Sequence, residues 1–249
     1  TTTVTRSPNA SGAKASKQFS LRLGASLPDF ECSTTHGDFT FHEFLDFDSE
    51  TRPYTLLFSH PKDYTPVCTT ELGMCDTMYN QFSERGVKLI GISVDSVEEH
   101  AGWSKDVLAR EGISDRDALE FPLIADPSRE IVTTLGMLDP LEKNAAGLPM
   151  PARALMFISP EKTIMAAIVY PATTGRNFDE VLRVVDSLLV TSTKKLATPV
   201  NWKNGERCIV APSVPTEEAG QLFQGLQIEE LPSGKQYLRH VDCPKPADA

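Results

Sequence analysis

Cys68 is the residue of this chain best placed to do chemistry, because of what precedes it. The stretch Pro61-Lys62-Asp63-Tyr64-Thr65-Pro66-Val67-Cys68-Thr69-Thr70-Glu71 follows the apolar run Tyr54-Thr55-Leu56-Leu57-Phe58. That run reads as a buried strand, and Cys75, Met78, Tyr79 and Phe82 beyond it stand at helical spacing. Cys68 therefore sits where a strand hands over to a helix. Thr65 suits the N-cap and Pro66 the first helical position, which puts Cys68 about three residues into the helix. Unpaired backbone N–H groups and the helix dipole favour negative charge there, and hence thiolate, the reactive form of the sulfur. A buried cysteine is more often only a small hydrophobe. The helix-start position separates Cys68 from Cys32, Cys75, Cys208 and Cys243, and nucleophilic attack is the chemistry inferred.

Pro61, Thr65 and Cys68 also match the P-x-x-x-T-x-x-C motif of the peroxiredoxins, the thiol peroxidases. Ser59-His60-Pro61 and Val67-Cys68-Thr69-Thr70-Glu71-Leu72-Gly73 resemble the 1-Cys subfamily. Further similar stretches are Gly136 to Pro140, Tyr170 to Phe178, Thr198 to Trp202 and Leu231 to Lys235. The resemblance implies a peroxidase in which Cys68 thiolate attacks a peroxide oxygen and becomes a sulfenic acid. Thr65 is expected to offer a hydroxyl, and Pro61 to shape the loop and shield the thiolate. By resemblance the active-site arginine falls on Arg129, in Asp126-Pro127-Ser128-Arg129. A second arginine falls on Arg153, just before an apolar strand, where an unpaired charge would be costly and a buried partner is expected. His60 is expected near the cysteine as a donor, and Glu71 as a group that orients the arginines.

No cysteine stands at the usual resolving place. Cys243-Pro244 is the only dipeptide similar to the resolving Val-Cys-Pro, and it is read as coincidence. The reductant is then an external thiol, glutathione or the thioredoxin system, and the sequence does not choose between them. Some 1-Cys members also carry a phospholipase-like Ser-His-Asp site. His42 and Asp139 match two of its members and Ser49 is the nearest serine. The lipase-like Gly-Asp-Ser-x-Gly is absent, however, which disfavours that activity.

The elements that must hold Cys68 read as strand–helix–strand–helix units followed by a hairpin and a helix. Ser96 with Glu99 forms a capping box ahead of Trp103, Val107 and Leu108. Asp126-Pro127 predicts another helix start, with Arg129 in its first turn. Strands are predicted at Ala154 to Ser159 and Thr163 to Tyr170. Asn177 with Glu180 caps a last helix. The expectation is an α/β, thioredoxin-like sandwich with a central mixed sheet, plus a small C-terminal domain. The expected units are a flexible tail at 1–20, a peroxidase domain at 21–190 and a C-terminal dimerisation domain at 191–249. Within the last, strands are predicted around Cys208 to Val210 and Gln236 to Leu238.

Composition narrows the partners. The chain has 249 residues, 34 acidic against 24 basic, and a formal net charge of −10. An acidic surface argues against nucleic acid or an anionic membrane. No apolar run approaches the length of a membrane span. Five cysteines do not suggest a secreted disulfide framework, so a reducing, cytoplasmic setting is expected. The tail's Thr, Ser and Lys bias also suits a transit-peptide remnant. No C-x-x-C or Cys/His cluster has metal spacing, so neither metal nor cofactor is called for, and a thioredoxin-type reductase is disfavoured. Nothing specific supports a holdase or purely structural role. By resemblance to the 1-Cys subfamily, whose C-terminal domain packs at a dimer interface, a homodimer is expected.

Overall fold

The computed structural model describes residues 22–46 and 53–244. The expected N-terminal tail and Ser49 lie outside the described residues. A short hairpin of β1 (Glu31–Cys32) and β2 (Phe39–Thr40) leads into α1 (Phe41–Asp46). Then come β3 (Tyr54–Ser59), α2 (Pro66–Thr77), α3 (Tyr79–Ser83), β4 (Val87–Ser93), α4 (Val97–Arg110) and β5 (Leu123–Ala125). After α5 (Glu130–Thr134), a hairpin of β6 (Leu138–Lys143) and β7 (Pro149–Pro151) precedes β8 (Arg153–Ile158), β9 (Ile164–Tyr170) and α6 (Phe178–Thr193).

The central sheet runs β5-β4-β3-β8-β9. β3, β4 and β5 are parallel, while β8 and β9 run antiparallel, which gives the mixed thioredoxin-like sheet. Parallel strands need crossovers, and α2–α3 and α4 supply them. Both faces are covered, so the strands read as apolar runs rather than as alternation. In β3, Leu56 and Phe58 enter one core with Leu72, Phe82, Trp103 and Val185. Leu57 points the other way, to a core with Phe41, Ile92, Val132 and Met156. Gly91 lets β4 pack closely: a Cβ there would lie 2.5 Å from Leu123 Cδ2 and 3.3 Å from the Phe58 ring.

The helix starts follow local chemistry. The Ser96–Glu99 capping box is reciprocal, and the Asn177 side chain accepts from Glu180 N at 3.2 Å. The helix expected from Thr65 through Phe82 breaks at Met78 (φ −91°, ψ 2°) into α2 and α3. The start expected at Pro127 falls later, at Glu130, because Arg129 adopts a left-handed backbone (φ 64°).

The C-terminal unit is a four-stranded antiparallel sheet. It comprises β10 (Leu196–Ala197), β11 (Cys208–Val210), β12 (Gln227–Ile228) and β13 (Arg239–Val241), in the order β10-β11-β13-β12, with α7 (Thr216–Leu222) packed on it. The strand expected at Gln236 to Leu238 lies instead at β13. There buried Arg239 donates to the carbonyls of Val214 and Ala211, while Val241 enters the core. The border expected at 190 falls inside α6, whose Val190 belongs to the C-terminal core around fully buried Trp202. No helix of the described residues is long and apolar enough to cross a membrane.

Candidate active site

Cys68 is the third residue of α2 and is fully buried. Thr65 occupies the N-cap in extended conformation (φ −113°, ψ 144°), and its carbonyl accepts from Thr69 N at 3.0 Å. Its hydroxyl does not cap the helix; it donates to Lys62 O at 2.8 Å. Tyr64, just before it, takes a left-handed backbone (φ 54°), strain of about 1–2 kcal/mol held where the chain turns into α2. Pro61 is buried beneath this turn.

An arginine does reach the sulfur, and it is Arg153. Its Nη1 donates to Cys68 Sγ at 3.3 Å and to Glu71 Oε2 at 2.7 Å. Its Nε and Nη2 hold Ala172 O at 2.9 and 2.5 Å, so the fork is fixed from two sides. Arg153 opens β8, the strand beside β3, while Cys68 and Glu71 lie three residues apart on α2 after β3. The buried partner expected for Arg153 is thus Glu71.

Arg176, in the loop before α6, completes the cluster. Its Nη1 donates to Glu71 Oε2 and its backbone N to Oε1, both at 2.8 Å. Its Nη2 holds the carbonyls of Ser59 and Ala154, and its guanidinium lies over the Phe58 ring. Burial, joined by neighbouring Arg153, lowers its pKa, while the Glu71 carboxylate opposes that fall. Two guanidiniums and one carboxylate leave one positive charge in a closed site. Burying a charge is costly unless it is paired, and Cys68 Sγ is the group within reach of this surplus.

Arg129 does not belong to this cluster. Its Nε donates to Pro149 O at 3.2 Å, its Nη1 to Pro127 O at 3.4 Å, and its Nη2 meets Met150 Sδ at 3.8 Å. The left-handed backbone turns the side chain toward the β6–β7 hairpin rather than toward α2. Asp126 still caps α5, accepting from Glu130 N at 3.1 Å and Val132 N at 2.8 Å. The expectation that Arg129 stands at the sulfur is therefore corrected: the arginine beside Cys68 is Arg153.

His60 also differs from expectation. It is fully buried, and its Nε2 meets Asp63 Oδ1 at 2.7 Å. Asp63 Oδ2 meets His100 Nδ1 at 2.7 Å, and His100 Nε2 meets Ile124 O at 3.2 Å. Burial works to raise the Asp63 pKa, but the hydrogen bonds from His100 and His60 bring it down to about 2. Asp63 is thus an ionised acceptor, and His60 Nε2 must donate to it. Burial lowers the His60 pKa despite Asp63, which keeps the ring neutral and leaves Nδ1 as an unpartnered acceptor. The donor role expected of His60 is taken up by Asp63. The ligand atoms of His60, Asp63 and His100 lie within 4.8 Å of one another, close enough to hold an ion. Hydrogen bonds of 2.7 Å account for the arrangement without one.

Of the phospholipase-like set, His42 Nε2 meets Leu27 O, and Asp139 accepts from Leu141 N; neither hydrogen-bonds the other.

The model of the AhpC/TSA family matches residues 23–167, and that of the C-terminal domain of 1-Cys peroxiredoxin matches residues 189–225. The chain is 52% identical to Peroxiredoxin-6 of Rattus norvegicus over 225 residues, covering 90% of this chain and 98% of that one. It belongs to the peroxiredoxin family. Against Peroxiredoxin-6 of Homo sapiens the identity is 51%, with the same coverage. A crystal structure of a cysteine-to-serine mutant of the Peroxiredoxin 6 of Arenicola marina superposes with a TM-score of 0.85 at 46% identity. It covers 91% of this chain and 100% of that one. A yeast mitochondrial 1-Cys peroxiredoxin, described in connection with glutathione/thioredoxin systems, gives a TM-score of 0.76 at 35% identity. That match covers 90% of this chain and 100% of that one. This peroxiredoxin is a thiol-dependent peroxidase of the 1-Cys type.

Sequence reasoning missed Arg176, Asp63 and His100. Arg176 stands in Thr174-Gly175-Arg176-Asn177-Phe178, a stretch that carries family resemblance but no local sign of chemistry. Asp63 lies within the motif, between its fixed positions. Nothing local marks His100 on α4; only the fold brings it to Asp63.

Proposed function

We propose that Cys68 is the sulfur that attacks peroxide and that Arg153 is the charge that steadies it. The supporting observation is the buried Arg153 Nη1 at 3.3 Å from Cys68 Sγ, within a cluster carrying one uncompensated positive charge. In the reaction an S–O bond forms as the O–O bond breaks. The bonding pair moves to the leaving oxygen, which takes a proton and departs as water or alcohol. Preorganised donors count most where such charge develops. Arg153 offers one; Thr65 offers its hydroxyl once that turns from Lys62. Glu71 and Arg176 position Arg153, and Pro61 covers the turn.

The sulfenic acid on Cys68 is then attacked by an external thiol, which forms a mixed disulfide and releases water. A second thiol frees Cys68. Glutathione and thioredoxin both supply that chemistry. Because Cys68 is fully covered, peroxide and thiol reach it only when the 60–65 turn or the first turn of α2 opens. A homodimer fits the outer position of β9, which leaves Val169 half-exposed at the sheet edge.

The test is a stopped-flow reaction of the reduced protein with hydrogen peroxide, followed by mass analysis. A fast single turnover leaving one added oxygen on Cys68 is expected. Oxygen arriving first at another cysteine would overturn the assignment.

A further inference from the structure

A second pair of sulfurs lies far along the chain from Cys68. Cys208 is fully buried in β11, opposite Val241 of β13. Cys243 follows Val241 by two residues and so returns to the same side of the strand, as the diagonal neighbour of Cys208. It is half-buried against the C-terminal core that contains Cys208. Cys243 and the Trp202 indole are neighbours of Cys208 in that core, while Cys243 Sγ itself donates to Pro244 O at 3.6 Å and Trp202 Nε1 to Glu206 O. On its other side Cys243 lines an open cleft of about 820 Å³, together with Lys194, Lys195 and Phe223. One sulfur is therefore accessible to a small oxidant, and the other is held against it from inside.

We propose that Cys208 and Cys243 form a reversible disulfide under peroxide, a second redox site independent of Cys68. The oxidant is the enzyme's own substrate. Cys243 sulfur attacks a peroxide oxygen; the S–O bond forms, the O–O bond breaks, and water or alcohol leaves with the thiol proton. Cys208 sulfur then attacks the Cys243 sulfenic sulfur. The S–S bond forms, the S–O bond breaks, and the Cys208 proton leaves with the hydroxide as water. Two thiols are oxidised and one peroxide is reduced.

The geometry suits closure. Diagonal neighbours in a regular ladder have Cα atoms about 7–8 Å apart. A disulfide spans about 4.4–6.8 Å. The difference is small, and Cys243 lies beyond the last ladder residue, Val241, where the chain can move inward without breaking sheet hydrogen bonds. Burial, joined by the neighbouring Cys243, pushes the Cys208 thiol up to about 12. Conversion of Cys243 to a sulfenic acid places an electrophilic sulfur beside Cys208. Cys32 and Cys75 are buried without such a partner, and burial raises both.

The site also bears on Cys68. A Cys243 that is committed to Cys208 is not free to resolve the Cys68 sulfenic acid, in agreement with the 1-Cys assignment.

The experiment treats the full chain and its Cys68→Ser variant with hydrogen peroxide in excess, blocks remaining thiols with N-ethylmaleimide and maps peptides without reduction. In both proteins a Cys208–Cys243 cross-linked peptide is expected, two hydrogens lighter than the free pair and lost on treatment with dithiothreitol. In Cys243→Ser the cross-link disappears and Cys208 stays alkylatable after unfolding. Cys243 recovered as sulfinic or sulfonic acid with Cys208 still a thiol would overturn the proposal. So would a disulfide joining Cys243 to Cys68 or to a second chain. Because the wild-type map alone distinguishes these results, the conclusion does not depend on any variant folding.

Discussion

Two buried clusters flank the start of α2, and each is one carboxylate held between two nitrogen bases. In one, Glu71 bridges Arg153 and Arg176; in the other, Asp63 bridges His60 and His100. The difference lies in the bases. Guanidinium does not lose its proton in a protein, so the first cluster keeps a net positive charge whatever its surroundings. Imidazole is uncharged without its second proton, so the second carries no fixed surplus of positive charge: Asp63 is ionised and His60 is neutral. The first is therefore completed by an external anion, and Cys68 lies 3.3 Å away. The second is complete as it stands and fixes the 60–65 turn to α4 and β5. A fixed charge is aimed at chemistry; an adjustable one holds structure.

The largest effect expected is at the sulfur itself. Cys68→Ser is expected to abolish peroxide consumption, and Cys75→Ser to leave turnover largely intact, both read by loss of hydrogen peroxide in the presence of a thiol. Turnover surviving in Cys68→Ser would remove the anion from the comparison altogether.

The carboxylates separate the clusters next. Glu71→Gln leaves two buried guanidiniums facing each other and is expected to cost about 3–5 kcal/mol of stability. Asp63→Asn leaves bases able to shed protons, so about 1–3 kcal/mol is expected, the range for one broken buried hydrogen-bonding arrangement. Urea unfolding of both variants gives the order. A larger loss in Asp63→Asn would reverse the reading of which cluster carries fixed charge.

A smaller effect is the response to acid. The Asp63 pKa is depressed in the folded chain from 3.8 to about 2. Its contribution, about 2 kcal/mol, is therefore fully present above about pH 4 and is lost as pH falls toward 2. His60 acts in the same direction at higher pH. Its pKa is lowered by burial from 6.5, so below that value the unfolded chain takes up a proton that the folded chain refuses. Urea midpoints measured from pH 7 downward are expected to fall, with the lowest part of the decline flattened in Asp63→Asn. Stability that rises on acidification would contradict the assigned protonation states.

Much of this arrangement was legible in the sequence, for identifiable reasons. The thioredoxin-like order followed from apolar runs such as Tyr54 to Phe58 and from local caps such as Ser96–Glu99, which depend only on neighbours in sequence. Cys68 at a helix start was legible for the same reason. Arg153 was readable as a buried charge because a cation introduces an apolar strand. Arg129 was misplaced because it was assigned by resemblance alone, and its left-handed backbone and bonds to Pro149 and Pro127 hold it at the β6–β7 hairpin. His100 and Arg176 were not legible as site residues. Each meets its carboxylate only through tertiary pairing, across separations of 37 and 105 residues.

The central claim is that Arg153, not Arg129, supports the reaction at Cys68. The direct measurement is the second-order rate of Cys68 oxidation by hydrogen peroxide, followed by stopped flow in folded Arg153→Met and Arg129→Met proteins. Loss of one preorganised donor costs about 10²–10³ in rate, so Arg153→Met is expected to slow oxidation by that factor while Arg129→Met stays near wild type. An unchanged rate in Arg153→Met, or an equal loss in Arg129→Met, would contradict the account.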